Sequence, residues 1–276
     1  QRGVEFLLRN VEASPAEGLA VTDITGTQIQ RKLGPYIDTF LTSMVLAELD
    51  GNMGDAHSND RVRRALQKCV GKIERNQQKD GSWNISGGWA PILGTSLASR
   101  SLYVARQKGV PVNQAVASKV DDYTKRTAVA GGGPAAQGGY AADASSAGVG
   151  LYKGTQVLEE LSRDEKARKD NASEIRAVTR ELADARFVNG FGSMGGEEFF
   201  SYLNISDSLH RVGGEDWNQW NGQIKTRLVK LQNDDGAWAG HHCITGRVAI
   251  TSAAILTLAV DRTPAALLTS HGTVKK

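Results

Sequence analysis

A unit of roughly fifty residues recurs along this chain, and that recurrence constrains the fold more than any other feature. A repeat of that length is one supersecondary element that buries its apolar face on copies of itself. One pattern carries it in three clear copies: Thr42-Ser43-Met44-Val45 leading to Leu49, Thr95-Ser96-Leu97-Ala98 leading to Leu102, and Thr251-Ser252-Ala253-Ala254 leading to Leu258. Weaker copies begin near Ser145 and Tyr202. A second pattern lies between these segments. Gln77-Gln78-Lys79-Asp80-Gly81-Ser82-Trp83 and Gln232-Asn233-Asp234-Asp235-Gly236-Ala237-Trp238 both read Gln-x-x-x-Gly-x-Trp. They stand about three periods apart, so two separate patterns agree on one repeat length.

Each repeat contains two helices of different character. The segment before the Gln-Gly-Trp element is amphipathic: Val62, Leu66, Cys69 and Ile73 recur at helical spacing, as do Ile175, Val178 and Leu182, and Trp217, Trp220, Ile224, Leu228 and Leu231. The segment after it is apolar on most sides and rich in small residues, as in Ala249 to Leu258, and should lie buried among other helices. Five outer and inner pairs result: 1–12 with 36–50, 59–77 with 92–108, 113–127 with 144–162, 171–186 with 197–212, and 215–232 with 247–261. A solenoid needs polar caps at its ends, whereas a ring of hairpins does not, and the last inner segment is as apolar as the middle ones. The expectation is an all-α chain, a ring of about five hairpins forming a single domain over 1–276, with 263–276 a flexible C-terminal tail.

The Gln-x-x-x-Gly-x-Trp element, with Arg2-Gly3 before Phe6-Leu7, resembles the repeat motif of the prenyltransferase and squalene-oxidase-repeat superfamily. Triterpene cyclases and the β subunits of protein prenyltransferases belong to it, and complement thioester domains share its α/α toroid fold. The stretch from Phe200 to Trp217 and from Gln232 to Asp261 is also similar to uncharacterised bacterial proteins with this repeat. The resemblance implies that Gln77, Gly81, Trp83, Gln232, Gly236 and Trp238 are architectural. Physics agrees: a Gln can bond a neighbouring helix end and a Trp can stack beneath it, clamping one hairpin to the next.

The family's catalytic patterns are missing. No Asp-x-Asp-Asp acid and no Cys-Gly-Glu-Gln thioester element occurs in the sequence. The zinc of protein prenyltransferases is held by Asp, Cys and His, and the local candidates here are His241, His242 and Cys243, with Asp235 and His210 as outside contributors. Adjacent histidines diverge on any regular backbone, so the expectation is no metal and no cofactor. Glu197 and Glu198 form a carboxylate pair of the kind sugar-cleaving enzymes use, but a first-turn position at a helix N-terminus explains them without chemistry. No nucleophile elbow or phosphate loop is present.

Polar and aromatic residues near the starts of inner helices mark the cavity or rim where a ligand would bind: Trp89, Tyr140, Asp143, Phe199, Phe200, Tyr202 and Arg247. The expected function is non-catalytic capture of a small apolar ligand or a protein partner. The alternative is a terpenoid cyclase or prenyltransferase-like enzyme acting on an isoprenoid in the central cavity. Aromatic residues make up only 6% of the chain, which disfavours a cavity built to stabilise carbocations. Thirty-three basic and 30 acidic residues are mixed along the chain, against a nucleic-acid partner. No run of eighteen apolar residues exists, so no membrane span is expected. The chain begins inside structure, as removal of an export leader would leave it.

Overall fold

A computed structural model describes residues 2–85, 91–130, 147–189 and 195–262. Among these there are thirteen α-helices and no strand. Contacts divide the chain into two compact units, 1–123 and 124–276. The expected tail, 263–276, lies outside the described residues.

The first unit contains α1 (Arg2–Ala13), α2 (Gln28–Leu33), α3 (Ile37–Leu49), α4 (Ala56–Arg75), α5 (Pro91–Gln107) and the start of α6 (Gln114–Ala130). Outer α1 packs on outer α4, and inner α3 on inner α5, while α3 and α4 also face each other. This is how successive hairpins stack. Amphipathic α4 buries Val62, Leu66, Cys69 and Ile73, the stripe read from the sequence. Its start is fixed by Asp55, whose carboxylate accepts from the Ser58 amide at 2.8 Å.

The second unit contains the rest of α6, then α7 (Ala147–Leu161), α8 (Glu165–Asp170), α9 (Ala172–Glu181), α10 (Ala185–Val188), α11 (Gly196–Val212), α12 (Gly214–Lys230) and α13 (Arg247–Ala259), closed by a 3-10 turn at Val260–Arg262. Helix α11 is its centre, packed on α7, α12 and α13. Almost all of α11 is buried, including Phe199, Tyr202, Ile205 and Leu209.

Ten of the thirteen helices fall on the ten expected segments, except that 171–186 is broken after Glu181 and its last two residues begin α10. The short α2, α8 and α10 are additions. They span too few residues for apolar periodicity to show, and each is set by its cap: Thr27 and Gln30 form a capping box at α2, and Asp164 and Asp184 accept amide bonds at α8 and α10. The expected all-round burial of inner helices is corrected at two places. Leu41 and Val45 of α3 are exposed, as are Val248, Ile255 and Leu256 of α13, because no described helix covers those faces.

The two Gln-Gly-Trp elements fold as copies of each other. Gly81 and Gly236 turn the chain at φ of 96° and 82°, the left-handed region that glycine supplies without strain. Gln77 Nε2 donates to the Gly81 carbonyl at 3.0 Å, and Gln232 Nε2 to the Gly236 carbonyl at 2.7 Å. Trp83 Nε1 donates to the Ile73 carbonyl and Trp238 Nε1 to the Leu228 carbonyl, both at 2.8 Å. Each indole therefore satisfies a carbonyl in the last turn of its own outer helix. Only Gln77 also reaches the next hairpin, through the Val116 carbonyl of α6 at 3.0 Å.

Candidate functional site

Three of the seven expected rim residues, Trp89, Tyr140 and Asp143, lie outside the described residues. Of the other four, Phe199 and Tyr202 are buried in the centre of the second unit, Phe200 is half-buried, and Arg247 is exposed. Tyr202 sits between Phe199 and Trp220, with ring centroids 6.2 Å away on each side. Its hydroxyl donates to the Val188 carbonyl at 2.8 Å and accepts from Arg227 Nε at 3.1 Å. Burial pushes this phenol up to about 12, against the opposing charge of Arg227. Tyr202 and Phe199 thus plug the core, and Arg247 pairs with Asp235 in the Gly-Trp turn.

The residues that do come together are at the head of α11. Glu197 and Glu198 occupy its first turn, as the sequence suggested, yet both are fully buried, unlike ordinary first-turn glutamates facing solvent. The loop after Trp238 lies directly against them, joined by a parallel bridge between Gly195 and His242. The approach is so close that a Cβ on Gly196 would stand 2.3 Å from the Ile244 carbonyl oxygen, and one on Gly240 would stand 2.0 Å from the same atom. A Cβ on Gly195 would meet Glu198 Oε2 and His242 Cε1 at 2.8 Å and Glu197 Oε2 at 2.9 Å. Two carboxylates and an imidazole therefore share one small volume. His242 and Cys243 are half-buried, so the carboxylates lie one side chain below the surface, while His241 is exposed.

Both carboxylate oxygens of Glu197 are buried and have no hydrogen-bond partner among the described residues. Tyr152 of α7 feels the cluster: burial first, then the charges of Glu198 and Glu197, push its phenol upward. His242 Nδ1 lies 3.1 Å from Cys243 Sγ. Cys243 has φ of 59°, the one non-glycine residue with positive φ among the described residues. The segment from Gly195 to Glu198 meets this loop, a proximity that helical spacing does not reveal. The outside contributors considered from the sequence stay away: His210 stacks on Trp217 at 4.8 Å, and Asp235 accepts from the Ala237 amide and pairs with Arg247. Among the described residues no three His, Cys, Asp or Glu side chains are placed to share a metal ion.

Two sets of lysine contacts were not foreseen from the sequence. Buried Lys72 donates to the Gly18 and Ala20 carbonyls at 3.1 and 3.0 Å, and Lys68 donates to the Glu12 and Ser14 carbonyls at 3.0 and 2.5 Å. They tie the end of α1 and the long loop after it to α4, a structural role in the first repeat, which has no Gln-Gly-Trp element before its inner helix. No family model, curated protein or solved structure matches the chain. No described helix is long and apolar enough to cross a membrane.

Proposed function

We propose that this chain is a binding protein of the prenyltransferase and squalene-oxidase-repeat superfamily, with its hairpins in an α/α toroid, and that it captures a ligand bearing a protonated amine or guanidinium at the head of α11. The observation that supports this reading is Glu197, fully buried with both oxygens unbonded among the described residues, beside a second buried carboxylate. An uncompensated buried charge costs several kcal/mol. The N-terminus of α11 offsets only about 1–2 kcal/mol of that in a favourable geometry. A donor cation between the carboxylates would supply both the charge and the missing hydrogen bonds. The half-buried ring of Phe200 follows in the sequence and suits the same class of ligand. The buried carboxylates favour such a group over the wholly apolar ligand that composition suggests. A metal ion is less well served, since the cluster does not offer three convergent ligands. An isoprenoid cyclase or transferase remains the weaker alternative, without an acid motif and with few aromatic residues.

Thermal unfolding in the presence of agmatine or putrescine tests this. A ligand at one hundred times its Kd stabilises the fold by about 2.7 kcal/mol, a shift of several degrees in Tm. Wild type should show that shift and Glu197→Gln should not. A Glu197→Gln protein more stable than wild type, with neither responding to any cation, would mean a ligand-free acid pair and would overturn the proposal.

A further inference from the structure

The Cys243-His242 pair stands out as chemistry that cation capture does not use. Cys243 is half-buried at the protein surface, its Sγ lies 3.1 Å from His242 Nδ1, and its backbone is held in a left-handed conformation that a side-chain-bearing residue seldom adopts. Such strain persists only where the surroundings enforce it. They do so here, because the close contacts of Gly196 and Gly240 with the Ile244 carbonyl clamp the loop on α11. The unbonded carboxylate of Glu197 reaches the same volume as the His242 ring. A thiol beside a general base is the arrangement that nucleophilic catalysis uses.

The other uses of a cysteine fit poorly. An intrachain disulfide needs a second accessible thiol, and the one other cysteine, Cys69, is fully buried, with burial pushing its thiol up to about 12. Metal ligation needs further ligands that do not converge. Nucleophilic substitution needs only a thiol and an adjacent base.

We propose that Cys243 is a nucleophile that accepts an acyl group from an activated ester or thioester, with His242 as its base. His242 removes the Sγ proton and sulfur attacks the carbonyl carbon. The adduct expels the alkoxide or thiolate, which takes the proton from His242 and leaves as alcohol or thiol, with an S-acyl Cys243 remaining. Water then adds to the acyl carbon, the carboxylic acid departs, and the sulfur regains its proton. The two readings are told apart by the thiol: cation-induced stabilisation should survive in Cys243→Asn, a substitution chosen because Asn tolerates left-handed backbone.

The test is p-nitrophenyl acetate added to the full chain at neutral pH, with release of p-nitrophenolate followed and the modified residue mapped by peptide mass spectrometry. The expected result is a burst of about one equivalent with the acetyl group on Cys243 and none on Cys69, lost in Cys243→Asn and slowed roughly a hundredfold or more in His242→Gln, the scale of general-base assistance. Because either variant could perturb the loop, iodoacetamide labelling of wild type provides a second reading: Cys243 should react at least roughly tenfold faster than free glutathione at the same pH, as an activated thiol does. Labelling no faster than glutathione, acetylation confined to lysines, or a His242→Gln rate equal to wild type would each overturn the proposal.

Discussion

Trp83 and Trp238 show at the scale of single residues why two patterns share one period. The Trp83 amide donates to Thr95 Oγ at 3.1 Å, and the Trp238 amide donates to Thr251 Oγ at 3.0 Å. The threonine that opens each inner helix therefore holds the tryptophan that closes the preceding turn, while the indole holds the outer helix. One residue, through its backbone amide and its indole, links three parts of a hairpin. Both indoles are 4% exposed, so truncating either should cost about 3 kcal/mol in a denaturant melt, the range for a large buried aromatic. Thr95→Val and Thr251→Val should each cost about 1 kcal/mol, the net worth of a hydrogen bond. Tryptophan variants that lost less than a third of the expected stability would contradict the linkage. The two turns were legible in the sequence because a turn that needs Gly, and an indole that needs an acceptor, recur with the repeat. The indole bonds to the outer helix of the same hairpin were not, since spacing alone does not name the acceptor.

The elements show where pH acts. Arg61 of α4 bonds Glu5 and Glu12 of α1, with N–O distances of 2.6 Å to each. Hydrogen bonding from Arg61, then from Arg9, holds the Glu5 carboxyl down at about 2, and Arg61 likewise lowers Glu12. A carboxyl lowered by folding contributes stability above its ordinary value near 4.3, and that contribution disappears as pH falls toward the folded value. The protection of α1 amides, after correction for the pH dependence of intrinsic exchange, should therefore fall between about pH 4.5 and 2. Arg61→Ala should remove most of this pH dependence. Exchange equally pH-dependent in that variant would show that another group governs the docking of α1. The same scale explains what sequence reading missed at the candidate site. Glu197 and Glu198 were placed in the first turn of a helix, but nothing in helical periodicity tells that a loop about forty residues later covers that turn. The glycines at 195, 196 and 240 were the available signal, since each stands where two backbones touch.

For the whole molecule, the helical class was readable because apolar periodicity is a local property repeated many times. Arrangement of the hairpins depends on side-chain contacts that no period encodes. If the hairpins close into the proposed toroid, the 276-residue chain should have a radius of gyration of about 19 Å in solution scattering, and a value well above about 25 Å would contradict that proposal. The bare apolar face of α13 makes a separate demand. Val248 is 84% exposed and Ile255 is 52% exposed, so Val248→Lys and Ile255→Glu should change stability by no more than about 0.5 kcal/mol. A loss above about 2 kcal/mol in a melt would show that this face is covered in solution.

The central claim is that the head of α11 is a ligand site rather than a buried defect, and a crystal structure of the protein grown with agmatine tests it most directly. The account predicts the guanidinium or amine nitrogen within hydrogen-bond distance of a Glu197 carboxylate oxygen, beneath His242. An empty site with both Glu197 oxygens bonded to protein groups would contradict it.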